Sequence, residues 1–189
     1  MTSYFRTDID KDYSKKPATK IRWKKTLEFI GNNSNFKIAL DIGDRTGLTE
    51  MMENEYGVNF DNTKGDLDNL ELRGNYDLVT SFEVLEHLFN PLFNLVQIKN
   101  VLNPDGRLIL STPLAKPRLL WSKEHFHEMS KQSIQALFEA AGFEVLRENF
   151  FRVYPVTFYF RGFRPLLRFI YDKIQIYELV PSGSSIIPS

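Results

Sequence analysis

Along this chain, short apolar runs alternate with longer stretches in which apolar side chains recur every three or four residues. The first pattern is typical of buried strands and the second of amphipathic helices. The apolar runs predict strands at 36–43, 57–61, 76–82, 107–112, 143–146 and 174–180. The helical spacing predicts helices at 18–30, 48–56, 91–102, 131–141 and, beginning at Pro165, 165–173.

Strands that alternate with helices at this spacing favour a mostly parallel sheet with helices on both faces. One region breaks the pattern. A regular strand–helix–strand unit needs about thirty residues, and the stretch from Asp61 to Gly74 leaves no room for a helix and a further strand. We therefore expect an α/β fold that is shortened around its second and third strands.

Composition narrows the class of protein. With 189 residues and 42% hydrophobic content, the chain suits one domain with a proper core. Lys and Arg total 24, as do Asp and Glu, so no overall charge points to a nucleic-acid partner. The absence of cysteine excludes disulfides, zinc–thiolate sites and thiol catalysis. The polar N-terminus has no signal-peptide core and no run approaches a membrane span, which makes a cytoplasmic protein the default expectation.

The domain organisation follows the composition along the chain. We expect a flexible arm at 1–16, a single domain at 17–181 with its core at 36–149, and a loose tail at 182–189. Residues 150–173 are rich in aromatic and basic side chains and are expected to build an acceptor pocket or a homodimer face. Their arginines suit phosphate groups, the solvated rim of a packed helix, or a peripheral contact with a membrane surface; they are Arg161, Arg164 and Arg168.

The stretch FKIALDIGDRTG, residues 36–47, is the first candidate for binding chemistry. A strand that ends near Asp41 is followed by Gly43 and Gly47 and then by a helix. This arrangement brings a ligand against the carboxyl end of a parallel sheet. A tight turn that is purely structural also favours glycine, so the motif alone leaves both interpretations open.

Two further acids lie downstream of this loop. Asp61 ends the predicted second strand, twenty residues beyond Asp41. In dinucleotide folds an acid at this distance binds ribose hydroxyls, although a turn acid before Asn62 is an equal interpretation. Asp66 lies in the shortened region, where it either faces a ligand amine or is solvated.

A cluster of two carboxylates and an imidazole follows the strand at 76–82. Glu83, Glu86 and His87 form E-x-x-E-H, and His125 or His127 could add a fourth group from the loop after Pro113. Oxygen and imidazole ligands without thiolates suit magnesium, manganese or zinc. The alternative is that Glu83 faces a cofactor, Glu86 is solvated and His87 only begins a helix.

These motifs together resemble the seven-strand, Rossmann-like S-adenosylmethionine-dependent methyltransferases. The resemblance covers about 36–146 and depends on four stretches in order: ALDIGDRTG, the acid Asp61, YDLVTSFEVLEHLFNP, and LNPDGRLILSTP followed by LFEAAGFEVL. It implies a three-layer fold whose mostly parallel sheet has an antiparallel C-terminal strand. It also implies the cofactor S-adenosylmethionine, with its methionine end at Asp41, Gly43 and Gly47, its ribose at Asp61, and its adenine near Asp66. Phe82 and Glu83 would close over it.

Arg45 departs from the family pattern, because that position in the first loop is usually glycine. A positive φ at a residue with a side chain costs about 1–2 kcal/mol. The cation would either crowd the sulfonium or pair with the cofactor carboxylate, so Arg45 is counted among the cofactor-binding candidates.

The E-x-x-E-H cluster resembles the metal site of the ubiquinone-pathway O-methyltransferases and of the small-RNA 2′-O-methyltransferases. By that resemblance a divalent metal would lie at Glu83, Glu86, His87 and His127, with Glu83 and His87 as catalytic residues. The sequence therefore predicts methylation of an oxygen in a small-molecule or glycan-type acceptor. The alternative is an inactive, methyltransferase-like binding module whose cofactor site has degenerated. A nicotinamide oxidoreductase fits poorly, since the first loop lacks its glycine spacing.

Overall fold

The structure, a computed structural model, describes residues 16–31, 35–154, 156–160, 162, 169 and 171–184. Among these residues six strands form a single sheet. They are β1 (Ala39–Asp41), β2 (Phe60–Asn62), β3 (Tyr76–Phe82), β4 (Leu102–Pro113), β5 (Phe143–Phe151) and β6 (Ile174–Pro181). Their order in the sheet is β2-β1-β3-β4-β6-β5. The strands β1 to β4 are parallel to one another, and β6 is antiparallel to both β4 and β5.

Helices cover both faces of this sheet. The helices are α1 (Pro17–Ile30), α2 (Gly47–Tyr56), α3 (Pro91–Val101), α4 (Lys131–Ala141) and α5 (Val156–Tyr159). One hydrophobic cluster, which includes Leu95 and Phe138, packs α3 and α4 against one face of the sheet. A second cluster, which includes Trp23 and Met52, packs α1 and α2 against the other face. Consecutive residues of the central strands alternate between the two clusters, because successive side chains of a strand point to opposite faces. The predicted three-layer α/β fold, with its antiparallel C-terminal strand, is confirmed.

Several strand bounds differ from the prediction. β1 is shorter, because the amides of Lys37 and Ile38 donate to the Asp77 carboxylate instead of joining a ladder. β5 is longer and runs through Phe151, because β6 pairs with it along its full length. The boundary expected at residue 149 therefore falls inside a strand.

Residues 103–106 form the bulged start of β4. The register between β3 and β4 shifts between Tyr76 and Leu78. A Cβ at Gly106 would lie 2.8 Å from the Tyr76 carbonyl oxygen and 2.9 Å from that of Asn103. Since both neighbours are backbone, only glycine fits at this close approach.

The shortened region between β2 and β3 is a loop, as expected: residues 63–75, all of which the structure describes, form no helix or strand. The loop is tied down by Asp68. The Asp68 carboxylate accepts hydrogen bonds from the amides of Phe89, at 3.1 Å, and Asn90, at 2.6 Å. Asp68 is therefore not a solvated loop acid, since it joins this loop to the segment that begins α3.

Other expectations lie outside the described residues. They concern the arm at 1–15, the tail at 185–189, most of the helix predicted at 165–173, and the arginines Arg161, Arg164 and Arg168. Within the described ranges, no helix combines the length and the apolar character that a bilayer crossing requires.

Candidate active site

A cavity of about 1180 Å³ opens at the carboxyl ends of the parallel strands β1, β2 and β3. Its walls come from α1, from the glycine loop after β1, from the loop after β2 and from the turn after β3. The opposite side is formed by the segment after β4 and by residues 153–154 and 172–174. A pocket for one small molecule typically measures about 300–1,000 Å³, so this cavity has room for a cofactor and a second ligand.

Asp41, at the end of β1, is the buried acid of the cavity. Its carboxylate accepts hydrogen bonds from the hydroxyls of Thr49, at 2.6 Å, and Thr80, at 2.7 Å. Burial raises the pKa of Asp41 to about 6, although both hydroxyls lower it. The two hydroxyls therefore fix the orientation of the Asp41 carboxylate. A cation bound nearby would favour the charged form of this carboxylate.

The glycine loop is shaped by residues from β2. Gly43 has a φ of 106°, a backbone conformation that favours glycine. Its amide donates to the Thr63 hydroxyl at 2.7 Å. The Asn62 amide group donates to the carbonyl oxygens of Asp41, at 3.3 Å, and Gly43, at 3.4 Å. These contacts hold the loop open over the strand ends.

Arg45, expected at the cofactor, is not part of the cavity lining, although its charge acts on Asp41. Its guanidinium pairs with Glu53 on α2, where one of the two contacts measures 2.9 Å. Glu53 also accepts from the Phe60 amide, at 2.9 Å. Arg45 has no positive φ, since Glu83 alone among the described non-glycine residues does. The expected backbone cost is therefore absent, and Arg45 fastens α2 to β2.

Gly47 also lies outside the cavity lining. A Cβ at this position would lie 2.8 Å from the ring of Trp23. Glycine here lets α2 approach the Trp23 side chain, which does line the cavity. Gly47 thus supports the wall without facing a ligand.

The two acids downstream occupy different places. Asp61 is exposed outside the cavity lining, and its carboxylate accepts from the Tyr76 hydroxyl at 3.1 Å. Asp66 lines the cavity. Its carboxylate accepts from the Asp68 amide and from the Asn69 side chain, at 3.1 and 2.7 Å.

Glu83 is held between two elements at the end of β3. Its carboxylate accepts from the Arg22 guanidinium of α1, at 2.8 Å, and from the Ser111 hydroxyl of β4, at 3.1 Å. The φ of Glu83 is 57°. Such backbone strain is typical of functional sites. Phe82, beside it, lines the cavity as expected.

Glu86, His87 and His125 form a compact cluster whose candidate ligand atoms all lie within 4.8 Å of one another. The Glu86 carboxylate is buried, and its Oε2 accepts from the Thr112 hydroxyl at 3.1 Å. Its Oε1 is buried with no hydrogen-bond partner among the described residues. Burial raises the pKa of Glu86 well above its ordinary value, and the Glu83 charge raises it further.

The histidines of this cluster are oriented through their Nδ1 atoms. His87 Nδ1 lies 3.0 Å from the Glu124 carbonyl oxygen, and His125 Nδ1 lies 2.7 Å from the Glu128 carboxylate. Because both oxygens only accept, each Nδ1 donates, and Nε2 is the ring nitrogen that faces the cluster as a potential ligand. Burial lowers the pKa of His87, and His125 beside it lowers it further.

His127 contributes its backbone and not its ring. The amides of Phe126 and His127 donate to the Glu86 carbonyl oxygen, at 2.8 and 3.2 Å. This fastens the loop and presents His125 to the cluster. The expected ligand set therefore changes, because His125 replaces His127 and the Glu83 carboxylate is paired with Arg22.

Arg22 was not identified from the sequence as a site residue. The sequence feature that could have identified Arg22 is its position next to Trp23 and four residues before Thr26, both of which are buried. The cavity lining includes seven predicted site residues: Asp41, Gly43, Asp66, Phe82, Glu83, Glu86 and His87.

Comparisons with known proteins agree with this architecture. Residues 18–148 match the methyltransferase domain family. Among solved structures, a putative methyltransferase from Bacillus halodurans is similar, with 14% identity, a TM-score of 0.57, and coverage of 83% of this chain and 97% of that one. An S-adenosylmethionine-dependent methyltransferase from Mesorhizobium loti has 14% identity and a TM-score of 0.61, with 84% and 97% covered.

A third similar structure is the O-methyltransferase from a trans-AT polyketide synthase multienzyme of Brevibacillus brevis, in complex with S-adenosylhomocysteine. It has 11% identity and a TM-score of 0.60, with coverage of 96% of this chain and 81% of that one. No curated protein matches the chain significantly. Because the family match spans more than half of the residues, the chain belongs to the methyltransferase domain family and is an S-adenosylmethionine-dependent methyltransferase of the Rossmann-like class.

Proposed function

We propose that this enzyme methylates an oxygen atom of a small-molecule or glycan-type acceptor, with a divalent metal ion held by Glu86, His87 and His125. The observation that carries the proposal is the cluster beside the cavity, whose ligand atoms lie within 4.8 Å of one another. Carboxylate and imidazole ligands suit magnesium, manganese or zinc.

The residues present fit such an ion. Glu86 offers a buried carboxylate oxygen that no other described residue satisfies. Each histidine offers Nε2, since an oxygen acceptor holds its Nδ1. Hydrogen bonds from the other ring nitrogen to an oxygen orient the histidines of metal sites in this way. When bound, a divalent ion polarises an acceptor hydroxyl and lowers its pKa.

Methyl transfer makes few other demands on the chain. The new oxygen–carbon bond forms as the carbon–sulfur bond breaks, so the two reactants must be aligned and the oxygen deprotonated. Alignment alone can lower the barrier by about 7–11 kcal/mol. If the acceptor reacts without a metal, we assign the role of general base to His87, with Glu83 beside it.

The cofactor fits the half of the cavity formed by the strand ends. We assign its positively charged methionine end to Asp41 and the Gly43 loop, and its adenine to the loop that carries Asp66. Phe82 and Glu83, at the end of β3, line the same cavity. The two features that suggested an inactive module do not fill the cavity, because Arg45 lies outside it and the shortened region leaves it open.

Calorimetry with S-adenosylhomocysteine tests the cofactor half of this proposal. We expect a Kd in the micromolar range, about −8 kcal/mol, for the full chain stripped of metal and then supplied with MnCl₂. Heat from MnCl₂ itself tests the metal half. If neither S-adenosylhomocysteine nor S-adenosylmethionine gives heat or a thermal shift, the inactive-module alternative replaces this function.

Arg45→Gln gives a second check on the cofactor site. We expect the Kd for S-adenosylhomocysteine to change less than about twofold, because the guanidinium contacts Glu53 and not the cavity. The free energy of unfolding should change little, since this ion pair is partly exposed. A tenfold change in affinity, measured by calorimetry, would return Arg45 to the cofactor site.

Three broader expectations stay proposals. The chain acts in the cytoplasm without a nucleic-acid partner. Its C-terminal aromatic region forms a homodimer face or the acceptor pocket. A peripheral contact with a membrane surface is the alternative for the same region. Sedimentation of the full chain, with and without lipid vesicles, separates these expectations.

A further inference from the structure

The ion pair between Arg22 and Glu83 connects two parts of the cavity. Arg22 comes from α1, and Glu83 is the first acid of E-x-x-E-H. The distance between the guanidinium and the carboxylate is 2.8 Å, and their side chains are only 17% and 14% exposed. A pair this sheltered from water is stronger than a surface pair and fixes both side chains.

Glu83 lies within electrostatic reach of the metal cluster. Its charge acts on Glu86, three residues later, and on His87. In the described structure, however, the Glu83 carboxylate is held by Arg22 and Ser111. A metal at Glu86, His87 and His125 would therefore lack Glu83 as a fourth ligand as long as Arg22 holds it.

The cofactor brings the group that could draw Arg22 away. The methionine end of S-adenosylmethionine carries a carboxylate, and a guanidinium binds a carboxylate well. Arg45 is paired with Glu53 outside the cavity. Among the described basic residues, Lys16 and Arg22 line the cavity at α1, and residues of the glycine loop line the same cavity.

We propose that Arg22 couples cofactor binding to metal binding: the cofactor carboxylate takes Arg22 from Glu83, and Glu83 then becomes a ligand of the metal. This inference depends on the proposed function, since it needs both ligands. Arg22 acts as a positioning residue for the metal site. Glu83 contacts Arg22, and its charge acts on Glu86 and His87, so one change of partner serves both sites.

Coupling of this kind must act in both directions. If the cofactor tightens metal binding by some factor, the metal tightens cofactor binding by the same factor. Coupling between sites commonly amounts to about 5- to 150-fold in affinity. S-adenosylhomocysteine is the better probe, because it keeps the carboxylate but lacks the positive sulfonium that would repel a metal ion.

The experiment measures the Kd of Mn²⁺ for the metal-stripped full chain, by calorimetry, with and without saturating S-adenosylhomocysteine. For the natural chain we expect S-adenosylhomocysteine to tighten Mn²⁺ binding at least about fivefold. For Arg22→Gln we expect tighter Mn²⁺ binding than in the natural chain without cofactor, because Glu83 is already released. S-adenosylhomocysteine should then change that Kd less than about twofold and should itself bind more weakly.

Lys24→Gln is the matched control. It removes a cation from the same helix, but Lys24 is 78% exposed and pairs only loosely with Glu28, at 3.8 Å. It should keep the full coupling. Glu83→Gln tests the other partner if Arg22→Gln does not fold, and we expect it to lose the coupling while it binds S-adenosylhomocysteine at least as tightly.

Each remaining outcome is decisive. The inference is overturned if S-adenosylhomocysteine leaves the Mn²⁺ affinity of the natural chain unchanged, or if Arg22→Gln keeps the coupling. It is also overturned if Mn²⁺ binds in neither state, an outcome that leaves methyl transfer intact and removes the metal. Failure of S-adenosylhomocysteine to bind at all refutes the proposed function itself.

Discussion

Glu86→Gln should abolish metal binding and lower kcat by about 10²- to 10⁴-fold, the range that proton transfer to or from the reacting group contributes. The amide keeps the shape of the side chain and can still accept from the Thr112 hydroxyl. It replaces an anionic oxygen that faces the two histidines with a neutral group. Mn²⁺ calorimetry and turnover with S-adenosylmethionine measure the two losses.

The same substitution should leave the metal-free protein as stable as before, or more so. Burial raises the pKa of Glu86 well above its ordinary value, so its ionisation is disfavoured in the folded state. The stability that the neutral form supports is fully present below the ordinary pKa of a glutamate and is lost as the pH rises through the folded pKa. Gln does not titrate, so thermal unfolding of the variant should depend less on pH.

Opposite effects on activity and on stability identify a residue kept for function. Glu139→Gln, which makes the same chemical change on the exposed side of α4, should alter neither quantity. If Glu86→Gln binds Mn²⁺ normally and turns over at the natural rate, the metal cluster has no role in the reaction.

Glu178→Ala should destabilise the fold by about 2–4 kcal/mol. The Glu178 side chain is 4% exposed, and it accepts from Arg107, at 2.8 Å, and from Arg147. Arg147 in turn donates to the Ile30 carbonyl oxygen, at 3.2 Å, and its guanidinium lies 4.3 Å from the centroid of the Phe29 ring. Removing one partner of a buried pair typically costs about 3–5 kcal/mol, and we expect less because both arginines are half exposed and regain water.

Urea unfolding monitored by circular dichroism measures this loss. Glu28→Ala is the control, because it removes an exposed ion pair of α1 and should cost less than about 0.5 kcal/mol. Glu178→Gln should lie between the two, since it keeps the shape and one hydrogen bond. A loss below about 1 kcal/mol for Glu178→Ala would show that the arginines find other partners.

The sequence predicted most accurately the elements whose bounds depend on local residue patterns. β3 extends from Tyr76 to Phe82, as its apolar run indicates, because the strand is buried on both faces. The loop after β2 was predicted from length alone. β6 was predicted as a strand, but its place between β4 and β5 results from pairing between distant segments, which periodicity does not report.

The sequence predicted the types of residue that form the site better than it predicted the individual residues. Spacing could not decide between His125 and His127, since both lie in one loop. What decides is that His125 meets the Glu128 carboxylate, whereas the His127 amide meets the Glu86 carbonyl oxygen. Arg22 was missed for a similar reason, because its partner Glu83 is 61 residues away.

The position of β6 has a consequence for synthesis on the ribosome. Chains emerge from the N-terminus at about 5–20 residues per second, and what has emerged can begin to fold. Here the half-sheet of β1 to β4 can assemble early, whereas β5 pairs only with β6 among the described strands. One edge of β4, together with the whole of β5, must wait until residues 174–181 have left the exit tunnel. During that interval β4 and β5 carry unpaired strand edges, which are the surfaces that chaperones protect against aggregation.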